Sequence, residues 1–350
     1  MHAALGLLCL LGFGLAFGGL FGGDDDEGDH YTENDNTTEE EAHDPWTEED
    51  PWTEEDPWTE ADPWTEEDPW TEEDPWTEED PTVSSDIIGD DGDNTLTGTD
   101  LDDVIIANGG NDDVLAGGGN DYVEGNSGDD TLNGNEGDDE LLGGEGNDVV
   151  FGEGGNDTAR GGPGDDQVYG DWGDDYVLGD DGNDEVKGGA GNDAVDGGEG
   201  DDSVHGGLGM DTLLGDAGND YLEGVITAEP NGLDTDDADT LFGGDGDDML
   251  SLGTGDLGTG GSGMDTFETG AWVNGPAPVI NDYVAEDDRI VVNYDAAVTP
   301  DPTLEVNSIT EGSDTYASIT LNGIEVVRVV LYGGDPAPEV SDIALVASNW

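Results

Sequence analysis

Gly143-Gly144-Glu145-Gly146-Asn147-Asp148-Val149-Val150-Phe151 returns five nonapeptides later as Gly188-Gly189-Ala190-Gly191-Asn192-Asp193-Ala194-Val195-Asp196. The same nine-residue period runs unbroken through residues 89–223, 135 residues or fifteen copies, and comes back at 243–251 and 260–268. A fixed internal period sets the architecture of the whole chain, so it is read before anything else. Of the seventeen copies, sixteen have Asp at the sixth position, Asn94 being the exception, and the eighth is aliphatic in all but Phe267.

An apolar residue at one fixed place in each copy (Leu96, Ile105, Val114, Val123 and onward to Leu222) asks for a dry interior. Three residues between turns are too few for a helix and suit one short strand per copy. The six residues that separate those strands, rich in Gly, Asp and Asn, read as a tight turn in which glycine permits positive φ. Two strands and two turns complete one coil of a flattened right-handed spiral, so residues i and i+18 stack about 4.8 Å apart. The expected fold is all-β, a right-handed parallel β-roll over 86–268, with Asp121 above Asp103 and Asp130 above Asp112.

Stacked carboxylates repel one another, and residues 81–268 carry fifty acidic side chains against only Arg160 and Lys187. Such an array needs cations to close. Carboxylates and turn carbonyls are hard oxygen donors, which in a cage of six or more select calcium; magnesium holds its water too firmly and wants stricter octahedral geometry. The candidate metal residues are the sixth-position aspartates: Asp103, Asp112, Asp121, Asp130, Asp139, Asp148, Asp157, Asp166, Asp175, Asp184, Asp193, Asp202, Asp211, Asp220, Asp248 and Asp265. Multiple Ca2+ ions are the expected cofactor, and folding is expected to depend on them.

These nonapeptides closely resemble those of RTX (repeats-in-toxin, haemolysin-type) calcium-binding proteins. The resemblance implies that each calcium lies between adjacent turns on one side of a parallel β-roll, held by sixth-position Asp side chains and backbone carbonyls. A flexible spacer copied by slippage in the gene is the competing explanation. Slippage leaves near-identical copies, whereas here positions three, seven and nine vary while four, six and eight hold.

A formal charge of −87 on 350 residues, with four Lys plus Arg, excludes nucleic acid and anionic membrane surfaces as electrostatic partners. The lone Cys9 permits no internal disulfide. Residues 3–22 are uncharged and long enough to span a bilayer, although six of the twenty are Gly, and membrane contact is expected only there. The apolar segment 1–23 reads as an uncleaved anchor, a cleaved signal or an apolar tail that is neither, since no Lys or Arg precedes it. Residues 24–85 form an acidic spacer whose six hexapeptides over 44–79 are nearly all Asp-Pro-Trp-Thr-Glu-Glu. Proline every sixth residue and dense acid predict disorder. The tryptophans Trp46, Trp52, Trp58, Trp64, Trp70 and Trp76 are candidate contacts for a cell-surface or carbohydrate partner, against the plainer reading of a duplicated linker.

Ten extra residues interrupt the pattern before it resumes at Asp239-Thr240-Leu241-Phe242, predicting a loop over 225–238, and the stretch 252–259 is one residue short. Residues 269–350 read as a small β cap with strands at 289–294, 315–321 and 324–331 and a hairpin turn at Asn322-Gly323. The segment 280–290 looks like the one that follows RTX arrays in secreted proteins. The resemblance therefore implies a C-terminal signal for type I secretion and an extracellular location, with residues 3–22 able to hold the chain at the envelope.

No catalytic motif stands out. The histidines His2, His30, His43 and His205 are not in zinc-protease spacing, and Gly260-Gly261-Ser262-Gly263-Met264 fails the Gly-x-Ser-x-Gly elbow at its last position. The sequence thus points to a non-catalytic extracellular calcium-binding repeat protein, or to a calcium-dependent adhesin or surface-layer component.

Overall fold

The structure is a computed structural model that describes residues 86–228, 233–312, 314–332 and 336–348. All of them lie in the unit Glu73–Trp350. The apolar segment 3–22, the tryptophan hexapeptides and the rest of the acidic spacer lie outside the described residues.

Successive nonapeptides alternate between two sheets, as a two-turn coil requires. In one, Val149–Gly154 pairs in parallel with Thr131–Glu136 and Gln167–Trp172, so that Val150 meets Leu132 on one side and Val168 on the other. In the other, Thr158–Pro163 lies parallel between Glu140–Glu145 and Tyr176–Asp181, with Ala159 between Leu141 and Val177. Partners are eighteen residues apart throughout the unbroken array. Among the described residues the two sheets hold fourteen and twelve strands, and every eighth-position side chain from Ile105 to Leu222 is at most 1% exposed.

The strands are longer than the sequence suggests. The first three, Asp86–Ile88, Thr95–Thr97 and Val104–Ile106, have the three residues expected, but from Asp113–Gly118 onward most have six, running from the seventh position into the third of the next copy. The cause lies at the second position, where positive φ (77° at Asn126, 74° at Glu153, 117° at Gly144) bends the chain without losing register. Asn126 therefore still pairs with Gly144, and Ser127 with Glu145. Only positions four to six form the turn. The first position faces inward as well, and Ala107 and Ala116, which stand there in place of glycine, are fully buried.

Both irregularities in the period are absorbed without breaking the sheets. Thr212–Ala217 pairs with Thr240–Asp245 through Leu213 and Leu241, 28 residues apart, which is one coil plus the ten inserted. The loop carries a two-stranded antiparallel ribbon, Thr227–Ala228 with Leu233–Asp234. One coil later Leu241 meets Gly258, seventeen residues on, and the missing residue is taken up there.

The C-terminal strands extend both sheets. Arg289–Asp295 pairs in parallel with Thr266–Gly270 and then with Ile343–Ser348. In the other sheet Val279–Ile280 leads to Ile324–Val330, which turns back on Asp314–Leu321 through Asn322 and Gly323, both at positive φ, as the Asn-Gly pair predicts. Leu304–Glu311 closes that sheet with an antiparallel pairing.

Candidate metal centre

The buried sixth position places one aspartate at the start of each strand, and register stacks these residues into two ladders. The first runs Asp103, Asp121, Asp139, Asp157, Asp175, Asp193, Asp211, Asp239, Asp256. The second runs Asn94, Asp112, Asp130, Asp148, Asp166, Asp184, Asp202, Asp220, Asp248, Asp265, Asp288. On every rung the backbone N–H of one residue donates to Oδ1 of the aspartate one coil on, at 2.7 to 3.1 Å. All sixteen aspartates singled out in the sequence stand in these two rows.

Three further members were missed. Asp239 precedes Thr240-Leu241-Phe242 and carries the same signal as the regular copies, so it could have been read. Asp256 is hidden because the apolar residue due two places on is Gly258. Leu252 fills the gap, fully buried, with its methyl carbons 3.0 Å from where a Gly258 Cβ would stand. Asp288 precedes Arg289-Ile290, outside the nine-residue period, and accepts the N–H of Asp265.

One carboxylate oxygen of each rung is thereby used; the other is taken at Asp103 by Thr99, at Asp256 by the Gly253 N–H and at Asp288 by the Val284 N–H, but is left over along most of both rows. Fifteen of these aspartates, from Asp112 to Asp248 and including Asp211 and Asp239, are 1 to 4% exposed and leave Oδ2 buried without a hydrogen-bond partner. A buried, unsatisfied polar atom costs about 1–3 kcal/mol, more if charged, so fifteen in two files demand a partner the polypeptide does not supply. Space is kept beside them. A Cβ built on Gly143 would stand 2.5 Å from Oδ2 of Asp148 and 2.6 Å from the carbonyl oxygen of Gly161, and Gly152 and Gly170 repeat the arrangement with Asp157 and Asp175. Glycine at the first position thus leaves the spare carboxylate oxygen and a main-chain carbonyl facing one small gap.

Burial and like charge act together on these carboxyls in the metal-free chain. Desolvation, opposed by the N–H bond and reinforced by neighbouring aspartates, pushes Asp139, Asp148 and Asp202 up to about 6 and Asp157, Asp166, Asp184 and Asp193 up to about 7. Asp239, raised first by burial and then by Asp256, Asp211 and Asp236 close by, goes up to about 9.

The exposed fifth position behaves differently. Along one edge Asn111, Asp129, Asn147, Asp165, Asn183, Asp201, Asn219 and Asp247 form an outer ladder, each N–H from Asp129 onward donating to the side-chain oxygen one coil earlier. Asn and Asp alternate, so in this solvated row no two carboxylates are adjacent. In the buried rows every neighbour beyond Asn94 is a carboxylate. A bound cation would relieve that arrangement, and the donors are all oxygen, the set suited to a hard divalent ion.

Two oxygen-lined files on a parallel β-roll define a calcium-binding repeat protein. Residues 88–123, 115–150, 124–159, 151–186, 178–213, 187–222 and 233–256 match the family model for the RTX calcium-binding nonapeptide repeat (4 copies), so residues 88–222 and 233–256 are such repeats. No curated protein matches the chain. Among solved structures, the extracellular lipase LipA from Serratia marcescens is similar at 15% identity over 76% of this chain, with a TM-score of 0.18. This chain spans 40% of that lipase's length. Among the described residues no helix is long and apolar enough to cross a membrane.

Proposed function

We propose that the two aspartate ladders hold several calcium ions between successive turns, and that the roll folds as it binds them. The fifteen buried Oδ2 atoms without partners carry this reading, supported by the gaps beside the first-position glycines. The sixteen aspartates named from the sequence, together with Asp239, Asp256 and Asp288, would supply carboxylate oxygen, and the carbonyls of residues such as Gly161 would supply the rest. A bound divalent ion supplies positive charge where adjacent carboxylates repel. The protein's own part is to present the oxygens in file and keep water out of the aliphatic interior.

A protein of this kind is suited to the calcium-rich exterior of a cell and to staying unfolded where calcium is scarce, including during export. Its output is structural and non-catalytic: a calcium-stiffened roll with residues 269–350 as its cap and residues 24–85 as a spacer. Equilibrium dialysis of the full chain with calcium, followed in parallel by far-ultraviolet circular dichroism, tests this. Several ions bound together with a rise in β signal are expected; a β signal indifferent to calcium would defeat the proposal.

A further inference from the structure

The ten-residue insertion changes the chemistry of one rung. In the regular coils the N–H of the fourth-position glycine donates to the carbonyl oxygen of the third-position residue one coil on: Gly191 to Leu208 at 2.8 Å, Gly200 to Ala217 at 2.7 Å, Gly218 to Asp245 at 2.9 Å. Gly209 departs from that series. Gly224 keeps its first-position place, with Asp239 Oδ2 2.9 Å from where its Cβ would stand, but the chain then leaves the coil and the expected carbonyl is gone. In its stead Oδ1 of Asp236 accepts the Gly209 N–H at 2.8 Å. A charged side chain has taken the place of a neutral main-chain dipole.

That substitution gathers three carboxylates. Ligand atoms of Asp211, Asp236 and Asp239 lie within 4.8 Å of one another, and among the described residues no other group of three His, Cys, Asp or Glu side chains does so. A second observation marks the place as a ligand site: Oδ2 of Asp211 and Oδ2 of Asp239, on residues 2% exposed, have no hydrogen-bond partner. A regular rung brings two carboxylates from adjacent coils; this one brings a third from outside the repeat.

We propose that Asp211, Asp236 and Asp239 form a distinct calcium site, built by the insertion, that fills before the regular turns of the array. The proposal rests on the reading that the ladders hold calcium. Replacing a carbonyl by a carboxylate raises the ligand charge, and calcium affinity rises with charge count in oxygen sites. This rung would then nucleate the roll on both sides of the loop.

The test is a calcium titration of the full chain by calorimetry and equilibrium dialysis, in the wild type and in two variants. Asp236→Asn keeps an oxygen for the Gly209 N–H and loses the charge; Asp236→Ala loses both. In the wild type one ion should bind at a calcium level about tenfold below that of the remaining sites, and both variants should lose that early step while still filling the rest. A wild-type curve without the early step would overturn the proposal. So would an Asp236→Asn curve identical to the wild type with only Asp236→Ala impaired, since the carboxylate would then be standing in for a carbonyl and nothing more. One tight ion with a silent array would refute calcium binding by the ladders and leave this site standing, and no calcium bound at all would end both.

Discussion

The carboxylate of Asp157 is divided between two environments: Oδ1 accepts the N–H of Asp139 at 2.8 Å, while Oδ2, equally buried, has no partner. The first bond fixes the side chain and hence the position of the second oxygen. A rigid row of spare, aligned oxygens follows, and the carboxylates repel along the row unless a cation lies between coils.

Removal of calcium at neutral pH should therefore unfold the roll and not merely loosen it. The interior is essentially a single file of eighth-position side chains per sheet, and many glycines must be ordered to form it, so little stability is left once the charge is uncompensated. Chelator added to the full chain at pH 7.5 should abolish most of the β signal in circular dichroism and enlarge the hydrodynamic radius, and excess calcium should reverse both. Retention of the β signal in chelator would show that the carboxylates are compensated some other way.

Metal-free stability should fall as pH rises. The carboxyls of Asp139 and Asp148 stand near 6 and those of Asp157 and Asp184 near 7, each raised from an ordinary value of 3.8, chiefly by burial. Between about pH 4 and pH 7 the native state thus binds more protons than the unfolded chain, which makes the slope of stability against pH negative in that window. Without calcium the β signal should be greatest near pH 4 and decay through pH 6 to 7. With calcium present the trend reverses, because ions displace protons from the same oxygens, and the calcium midpoint should drop as pH rises. A metal-free β signal that is flat or grows with pH would contradict the assignment of these shifts.

Much of this was legible in nine letters. An aliphatic eighth position and an aspartate sixth position set coil length, register and both buried ladders, because each makes a demand that only stacking satisfies. Strand length was not legible, since the second position combines positive φ with continued pairing, as Asn126 and Gly144 do, and glycine-rich text reads as turn. Asp256 escaped because Leu252, from outside the local pattern, fills the core over Gly258. The outer Asn/Asp alternation repeats every 36 residues on one edge, four copies long, and is invisible when copies are compared one at a time.

Gly154 and Gly155 are adjacent yet should respond oppositely to alanine. At Gly155 φ is +145°, and a Cβ would sit 1.8 Å from the carbonyl oxygen of Gly137, backbone that cannot retreat without parting the coils. At Gly154 φ is ordinary and the nearest atom, the Asn135 carbonyl oxygen, is 3.6 Å away. Gly155→Ala should cost about 3 kcal/mol or more, and Gly154→Ala should stay within about 0.5 kcal/mol of the wild type. Thermal melts in saturating calcium measure both. Equal losses at the two sites would mean that the turn does not have this geometry.

Alternation in the outer ladder gives the last expectation. Asn147 lies between Asp129 and Asp165, donating its N–H to Asp129 Oδ1 and accepting that of Asp165 on its own Oδ1. The carboxyl of Asp201 in this row, and that of Asp174 in the matching row on the other edge, are held below the usual range by hydrogen bonds first from the backbone N–H and then from the side chain of Asn219 and Asn192. Asn147→Asp keeps the acceptor oxygen and sets three exposed carboxylates in a row. The hydrogen bonds survive and only repulsion is added, which salt screens on the scale of a Debye length. A small drop in calcium-loaded melting temperature at low ionic strength is therefore expected, disappearing in concentrated sodium chloride. Because the inner ladder bears unbroken carboxylates from Asp112 onward, the same variant should leave the number of calcium ions bound unchanged. A variant that gains an ion would instead make the outer row a second metal file, and one that loses ions would mean the two rows are not independent.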